Sequence, residues 1–285
     1  MTGAPIDLDA VTTLVERVAR DVVTPRFRAL VAGDVSVKGV DDIVTVVDTE
    51  AEAALVAGLT AIAPGVPVVG EEGTSADAGR LDVLAGAPLA WVVDPLDGTR
   101  AFVEGSPDHA VMVGLVADGE VVAGWICLPA HGRTYVAERG SGAFCNGERL
   151  PRLGARAGTA LAGALVAGPA LRGGVATGWM PPQVRDGLLA RPLPADLAGL
   201  TLGARIWAGH AYAQVASGAT DVLVYWRTWP WDHAPGAVLV REVGGVVRRP
   251  DGAEYRPSDG ASGLVVAPDE ATFVRVRDGL DLPGR

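Results

Sequence analysis

Cysteine, lysine and aromatic residues are scarce in this chain of 285 residues, which has two cysteines and only 5% aromatic side chains. Cys127 and Cys145 lie far apart, without a Cys-x-x-Cys pair or histidines at zinc-ligand spacing, so a zinc finger is excluded and reduced thiols are predicted. Lys38 is the single lysine. No phosphate-binding P-loop, zinc-protease helix motif or serine-hydrolase elbow is present, which excludes those enzyme classes.

The charge of the chain is acidic, with a formal net charge of −10. This sign argues against nonspecific binding of nucleic acid or of anionic membrane surfaces. The apolar runs Val83–Val93 and Ala160–Leu171 are too short to span a bilayer, and Met1–Asp9 lacks the apolar core of a signal peptide. With 49% hydrophobic and 20% charged residues, the sequence predicts a globular cytoplasmic protein without a membrane partner.

Hydrophobic periodicity predicts mixed helices and strands without a strict βαβ alternation. Thr49 and Glu52 match a capping box at the start of the second helix, and Asp232 matches the N-cap of the fourth. A seam near Pro151–Gly158 divides one domain into an N-terminal α+β half of about 1–150 and a C-terminal α/β half of about 151–285. The predicted helices span Leu8–Leu30, Ala53–Ile62, Ile206–Ser217 and His233–Glu242. The predicted strands include Ile43–Val47, Val66–Val69, Leu89–Val93, Ala110–Val116, Glu120–Cys127, Arg133–Glu138, Leu161–Ala167, Asp221–Trp226 and Leu264–Ala267.

The most informative stretch is the turn that follows the apolar strand Leu89–Val93. Pro95 is expected to stop that strand, and two carboxylates, Asp94 and Asp97, then stand three residues apart. The N–H groups of Gly98 and Thr99 can hold an anion beside them. Carboxylates for a hard cation next to amides for an oxyanion indicate a metal-dependent phosphate site. Taken alone, an Asp-x-x-Asp-Gly pattern is more often an ordinary loop.

Three further stretches occur in a fixed order around this turn, namely Asp42–Asp48, Gly70–Glu72 and Trp231–Ala234. With the turn and the glycine-rich stretch Gly140–Gly147, they resemble the inositol monophosphatase family of Mg²⁺-dependent, lithium-sensitive sugar-phosphate phosphatases. The resemblance runs from about residue 38 to residue 245. It implies an α/β (α+β) fold, the layered α-β-α-β-α sandwich of the inositol monophosphatase and fructose-1,6-bisphosphatase type, and a homodimer.

The resemblance also implies the ligands of two or three Mg²⁺ ions. Glu71 and Asp94, with the Leu96 carbonyl, are implied as ligands of the first ion. The second ion would be bound by Asp94, Asp97 and Asp232. Without metal, four clustered anions repel each other, so the empty site should be loose, and bound Mg²⁺ should keep the carboxylates ionised.

The remaining roles concern the reaction itself. Glu71, Thr99 and Asp48 are implied as catalytic residues, with Thr99 and Asp48 orienting the attacking water. The Gly98 and Thr99 amides are implied as the phosphate cradle. A phosphate monoester dianion repels hydroxide, and a cation that lowers the pKa of a bound water removes that obstacle. Glu72 is expected beside the metal site or in solvent.

Two departures from the family pattern concern the substrate. Members that act on inositol phosphate usually carry Gly-Ser-Ala at the positions of residues 206–208 and an acid at the position of Tyr225. The substrate-binding residues are therefore predicted to be Asp97, Ala208, Tyr225, Arg205 and Arg227. A cationic or aromatic wall suits a second phosphate or a flat group.

The predicted function is Mg²⁺-dependent hydrolysis of a phosphate monoester of a small polyol or sugar. The same chemistry on histidinol phosphate, fructose 1,6-bisphosphate or 3′-phosphoadenosine 5′-phosphate is an alternative. A third alternative is a non-catalytic or moonlighting regulator associated with RNA or polymerase, although the acidic charge disfavours nucleic acid as a partner. The four histidines have no metal-ligand spacing in the sequence, which favours structural or surface roles for them.

Overall fold

The computed structural model describes residues 6–39, 42–153 and 170–284, in which helices and strands alternate irregularly. The helices are α1 Leu8–Val18, α2 Val46–Ile62, α3 Glu71–Ala76, α4 Asp82–Gly86, α5 Thr99–Val103, α6 Pro182–Leu189, α7 Ala208–Ala216, α8 Pro230–Glu242 and α9 Glu270–Leu280. The strands are β1 Val35–Gly39, β2 Asp42–Thr45, β3 Val68–Gly70, β4 Leu89–Asp97, β5 Ala110–Ala117, β6 Glu120–Leu128, β7 Arg133–Glu138, β8 Gly142–Cys145, β9 Glu148–Arg149, β10 Gly173–Val175, β11 Leu200–Leu202, β12 Val222–Tyr225, β13 Val246–Arg248 and β14 Leu264–Ala267.

Two large sheets carry these elements. Within residues 6–39, 42–153 and 170–284, the first sheet has seven strands in the order β3-β4-β5-β6-β7-β8-β9, and the second has five in the order β11-β10-β12-β14-β13. In the first sheet β3 and β4 are parallel and the other neighbours are antiparallel. Strands β1 and β2 form a separate antiparallel pair. The mixture of sheets and covering helices agrees with the predicted sandwich.

Strand β4 is buried on both faces. Trp91 and Val93 belong to the apolar cluster that includes α1 and α2, whereas Ala90 and Val92 belong to the cluster that includes α7 and α8. Because helices cover both faces, the strand has a continuous apolar sequence instead of an alternating one. The turn that follows β4 is therefore held between two helical layers.

Helices α7 and α8 cross closely because one residue at the crossing is a glycine. A Cβ at Gly236 would lie 2.1 Å from Cγ of Tyr212. The Tyr212 hydroxyl is also hydrogen bonded to Nδ1 of His233 at 3.1 Å. Two helices that contribute to the site described below are thus fixed relative to one another by close packing.

Helix α2 begins earlier than the sequence predicted. Thr45 is its N-cap and Asp48 is the third residue, and these two side chains form the capping box. The prediction that Thr49 and Glu52 form that box is wrong, although both pairs have the required spacing. The helix ends at Ile62, before Pro64 and Gly65, as predicted.

Other differences lie nearer the C-terminus. Helix α8 begins at Pro230 with Trp229 as N-cap, so Asp232 lies in its first turn and is not the cap. Helix α9 was not predicted, although Asp269 caps it through a hydrogen bond from the Thr272 N–H. Predicted helices over Leu8–Leu30 and Ile206–Ser217 correspond to α1 with its following turns and to α7. The predicted strand Leu161–Ala167 and most of the seam Pro151–Gly158 lie outside the described residues.

None of the helices in the described part of the chain has the length and apolar character needed to cross a lipid bilayer.

Candidate active site

The turn after the apolar strand is organised by a β-bulge. Strand β4 continues through Pro95, so the prediction that this proline stops the strand is wrong. Asp94 is paired opposite Met112 and Asp97 opposite Ala110, so three steps along β4 match two along β5. Pro95 has no N–H to donate, which a bulge tolerates. In a regular strand, residues three apart point to opposite faces, whereas the extra residue lets both aspartates face one side.

Four carboxylates from three segments of the chain converge near this bulge. Burial raises the pKa of Glu71 and of Asp94 well above their ordinary values. The charge of Asp232 raises both values further, and Asp94 also feels the charges of Glu71 and Asp97. Since charges influence each other in this way only at short range, the four predicted metal ligands are neighbours in space.

The four carboxylates are nevertheless spread out. Across residues 6–39, 42–153 and 170–284, no three of Glu71, Asp94, Asp97 and Asp232 bring one oxygen each within 4.8 Å of one another.

Asp97 is fixed by the start of helix α7. Its Oδ1 accepts a hydrogen bond from the Ala208 N–H at 3.1 Å, and its Oδ2 accepts one from the Gly209 N–H at 2.8 Å. Burial raises the pKa of Asp97 to about 6, against the opposing effect of these two N–H groups. A Cβ at Gly209 would lie 2.5 Å from Cβ of Ala110, so only glycine permits this approach.

Thr99 and Asp48 are joined directly. The Thr99 hydroxyl lies 2.9 Å from Oδ1 of Asp48 and 3.0 Å from the carbonyl oxygen of Leu96. Oδ2 of Asp48 accepts from the N–H of Thr45 at 2.8 Å and from its hydroxyl at 2.6 Å. Burial raises the pKa of Asp48 to about 6, although these hydrogen bonds lower it. The Asp48 carboxyl group is therefore able to accept and to release a proton at a pH close to neutral.

Gly98 gives the loop its shape. It has a φ of +77°, in the left-handed region that favours glycine, and α5 begins at the next residue. A Cβ at this position would lie 2.9 Å from the carbonyl oxygen of Asp108. The Leu96 N–H donates to Oδ1 of Asp94 at 3.0 Å, which ties the predicted carbonyl ligand to a carboxylate ligand.

Glu52 belongs to the site, and the sequence interpretation missed this. Its carboxylate accepts hydrogen bonds from the N–H groups of Glu72 and Gly73, both at 2.8 Å, and so holds the segment that carries Glu71. A signal for it was present, because Asp48 and Glu52 stand four residues apart on the buried face of α2. Lys38 forms an ion pair with Glu72 at 2.6 Å.

Replacement of Glu52 by glutamine is expected to weaken cation binding without abolishing catalysis. An amide has only one acceptor oxygen for two N–H groups, and its NH₂ would face the other donor. We expect the Mg²⁺ concentration for half-maximal activity to rise roughly 10- to 100-fold. Glu50→Gln, on the exposed face of the same helix, is the matched control. An unchanged Mg²⁺ dependence in Glu52→Gln would contradict this role.

The predicted substrate residues are only partly brought together. The Ala208 N–H holds Asp97, as described above. Tyr225 is 5% exposed, and its ring stacks on Tyr212 with 6.0 Å between centroids. Its buried hydroxyl has no hydrogen-bond partner among the described residues. Burial raises the pKa of Tyr225, and the charges of Asp97 and Asp232 add to that effect.

The predicted cationic wall has other contacts. Arg205 is exposed and lies 3.7 Å from Glu104. Arg227 is exposed and its guanidinium stacks 4.2 Å from the ring centre of Trp179. Their roles in substrate binding therefore stay predictions.

Stabilisation by Mg²⁺ is expected to increase with pH. Asp48 and Asp97 have pKa values of about 6, above the ordinary 3.8. Such groups favour the folded state when protonated, and that stability is lost as pH rises through about 6. A bound cation compensates the charge of the ionised carboxylates, so the Mg²⁺-bound protein does not lose this stability. The rise in melting temperature from EDTA to Mg²⁺ should be at least about 4 °C larger at pH 7.5 than at pH 5.

The comparison between EDTA and Mg²⁺ removes an opposing contribution. Burial lowers the pKa of His233 to about 3, which costs stability at low pH whether or not cation is present. A difference between EDTA and Mg²⁺ that stayed constant with pH, or grew as pH fell, would contradict the expected linkage.

Comparison with known proteins relates this chain to the inositol monophosphatase family. The profile of the Inositol monophosphatase family matches residues 7–276. The chain is 35% identical over 238 residues to inositol-1-monophosphatase ImpA of Mycolicibacterium smegmatis, covering 80% of this chain and 77% of that protein. It is 33% identical over 216 residues to the fructose-1,6-bisphosphatase/inositol-1-monophosphatase of Thermotoga maritima, covering 76% and 75%.

The fold has matching solved structures. The Thermotoga maritima IMPase structure superposes with a TM-score of 0.73 and 26% identity, covering 96% of this chain and 97% of that one. This likeness confirms the predicted α/β sandwich.

Proposed function

This chain belongs to the inositol monophosphatase family of phosphoric monoester hydrolases that act on sugar phosphates, and we propose that it does so with Mg²⁺ at the site formed by Glu71, Asp94, Asp97 and Asp232. The observation that carries the proposal is the convergence of these carboxylates beside Gly98 and Thr99. Such a concentration of buried negative charge is unfavourable unless a cation compensates it.

The donor set fits Mg²⁺. It consists of oxygen atoms only, from the four carboxylates and the Leu96 carbonyl, and hard cations prefer oxygen. The buried Tyr225 hydroxyl has no hydrogen-bond partner among the described residues, and a water or substrate atom would satisfy it. When bound, the cations would supply an activated water and charge neutralisation at the leaving oxygen.

The chain's own residues would handle the proton and the phosphate. The Thr99 hydroxyl would accept a hydrogen bond from the attacking water and so orient it. As the water loses a proton to this hydroxyl, the hydroxyl would release its own proton to Asp48, which lies 2.9 Å away. A pKa near the working pH suits a general base, and that of Asp48 is about 6 before cation binds. The Gly98 and Thr99 N–H groups, at the start of α5, would bind the phosphate oxygens.

We propose a phosphate monoester other than inositol 1-phosphate as the preferred substrate. By the family resemblance, Tyr225 stands where members that act on inositol phosphate usually carry an acid. A buried phenol offers one hydrogen bond, whereas an ionised carboxylate accepts several. Trp207 lies beside the loop, since a Cβ at Gly98 would lie 3.3 Å from its Cγ. An indole there favours a larger or flatter substrate than inositol.

Phosphate release from a substrate panel, with Mg²⁺ and with EDTA, tests both parts of the proposal. The panel contains inositol 1-phosphate, fructose 1,6-bisphosphate, histidinol phosphate and 3′-phosphoadenosine 5′-phosphate. We expect Mg²⁺-dependent release from at least one of the last three, with a higher kcat/KM than for inositol 1-phosphate. A clear preference for inositol 1-phosphate would remove the substrate proposal. Equal release in EDTA would remove the metal proposal.

The family resemblance supports three further parts of the proposal: two or three Mg²⁺ ions, a homodimer and a cytoplasmic location. Sedimentation velocity would test the dimer. The regulatory alternative, association with RNA or polymerase, is disfavoured by the net charge of −10. Capture of RNA by a chain without phosphatase activity would reverse that preference.

A further inference from the structure

A second group of metal-ligand side chains lies outside the carboxylate cluster. Asp108 precedes β5, His131 ends the short turn between β6 and β7, and His210 lies in the first turn of α7. One ligand atom from each of the three lies within 4.8 Å of the others. Widely separated segments thus bring together two histidines for which the sequence indicated no metal partner.

Two of the three distances between ligand atoms of this group are close to those around a tetrahedral ion. Nε2 of His131 lies 3.1 Å from Oδ1 of Asp108, and Nδ1 of His210 lies 3.5 Å from the same oxygen. Ligands that each lie about 2.0–2.1 Å from a tetrahedral Zn²⁺ are separated by roughly 3.3–3.4 Å. The centroids of the two imidazole rings are 4.9 Å apart and their planes are 8° from parallel. Each ring places one nitrogen within 3.5 Å of the same carboxylate oxygen.

Exposure of the group allows an ion to enter. His131 is exposed, whereas Asp108 and His210 are partly buried. Three protein ligands leave one position of a tetrahedron for water. Two imidazole nitrogens and one carboxylate oxygen favour Zn²⁺, Co²⁺ or Ni²⁺ over Mg²⁺, which prefers oxygen ligands alone.

We propose that Asp108, His131 and His210 bind one divalent transition-metal ion of the Zn²⁺ class, separate from the cations of the carboxylate cluster. The ion would join three segments of the chain at the border of the active site. His210 follows Gly209, whose N–H holds Asp97. The Asp108 carbonyl oxygen lies 2.9 Å from the position of a Cβ at Gly98. Binding would thus stabilise the backbone that contacts Asp97 and the backbone that packs against Gly98.

Calorimetric titration of the full chain with ZnCl₂ tests the proposal, using protein without a histidine tag. Saturating MgCl₂ keeps the carboxylate cluster occupied. We expect one Zn²⁺ per chain, with affinity reduced at least about 10-fold in His131→Gln and in His210→Gln. Glu71→Gln, in the carboxylate cluster, should leave the Zn²⁺ affinity unchanged. Co²⁺ should give the intense visible absorption of four-coordinate cobalt in the wild type and lose it in both histidine variants.

Thermal unfolding provides a check that does not depend on activity. Zn²⁺ should raise the melting temperature of the wild type by at least about 3 °C at a concentration well above Kd, and should not raise that of His131→Gln. His131 is exposed, so its replacement should leave the melting temperature without Zn²⁺ unchanged. Equal Zn²⁺ affinity in the wild type and both histidine variants would overturn the proposal. Loss of binding in Glu71→Gln alone, or no binding by the wild type at 100 μM Zn²⁺, would also overturn it.

Discussion

Asp94→Asn is expected to reduce kcat/KM at saturating Mg²⁺ by at least about 1,000-fold, or roughly 4 kcal/mol of transition-state stabilisation. Asp94 is the carboxylate predicted to bind both ions. It is 2% exposed, and the neighbouring charges of Glu71, Asp97 and Asp232 all act on it. Asparagine keeps the shape and can still accept from the Leu96 N–H, but it removes the charge that the cations need.

The same substitution should have the opposite effect on the stability of the cation-free protein. Because burial and repulsion disfavour the ionised Asp94, its neutral replacement should raise the melting temperature in EDTA at pH 7.5 by several degrees. Phosphate release and thermal unfolding measure the two effects separately. Asp82→Asn, at an exposed position on α4, is the control and should change neither. An active Asp94→Asn enzyme would contradict the assignment of this residue, and a less stable inactive one would point to misfolding.

Thr99→Ala is expected to lower kcat about 100- to 1,000-fold while KM changes little. The Thr99 hydroxyl lies 2.9 Å from Asp48 and 3.0 Å from the Leu96 carbonyl oxygen. The methyl group of alanine cannot form a hydrogen bond and therefore cannot orient water there. General acid–base groups contribute about 10²- to 10⁴-fold to enzymatic rates. Stability should fall by about 1 kcal/mol through the lost hydrogen bond.

Serine at the same position provides the decisive comparison. Thr99→Ser keeps the hydroxyl and should retain kcat within about 10-fold of the wild type, because the group that contacts Asp48 is preserved. Thr13→Ala removes an exposed hydroxyl that donates to a carbonyl one turn earlier in α1, and it should leave kcat unchanged. If alanine and serine at position 99 behaved alike, the proposed proton path from water to Asp48 would be wrong.

Much of the fold was available from local sequence. The continuous apolar run before Asp94 predicted a buried strand, and β4 is buried there. The resemblance carried by the four stretches in order, and not a local pattern, implied which carboxylates would lie together. Helix α9 was predictable too, because Asp269 is a good cap and Phe273, Val276 and Leu280 follow at helical spacing.

Competing local signals could not be resolved in the same way. Thr45 with Asp48 and Thr49 with Glu52 both have capping-box spacing, but only the first pair caps α2. Thr99 supplies a further donor to Asp48, and the N–H groups of residues 72 and 73 engage Glu52. Those partners lie twenty or more residues away, beyond the reach of a local pattern.

By itself, the sequence predicted the apolar strand before Asp94, and its resemblance to a known family indicated which carboxylates and which glycine to expect at the site. Tertiary structure alone decided that Pro95 lies inside a bulge, that the start of α7 fixes Asp97, and that His131 and His210 share a carboxylate. Helix and strand signals extend over a few neighbouring residues. Contacts between distant segments depend instead on how whole layers pack, and that packing sets which polar groups meet.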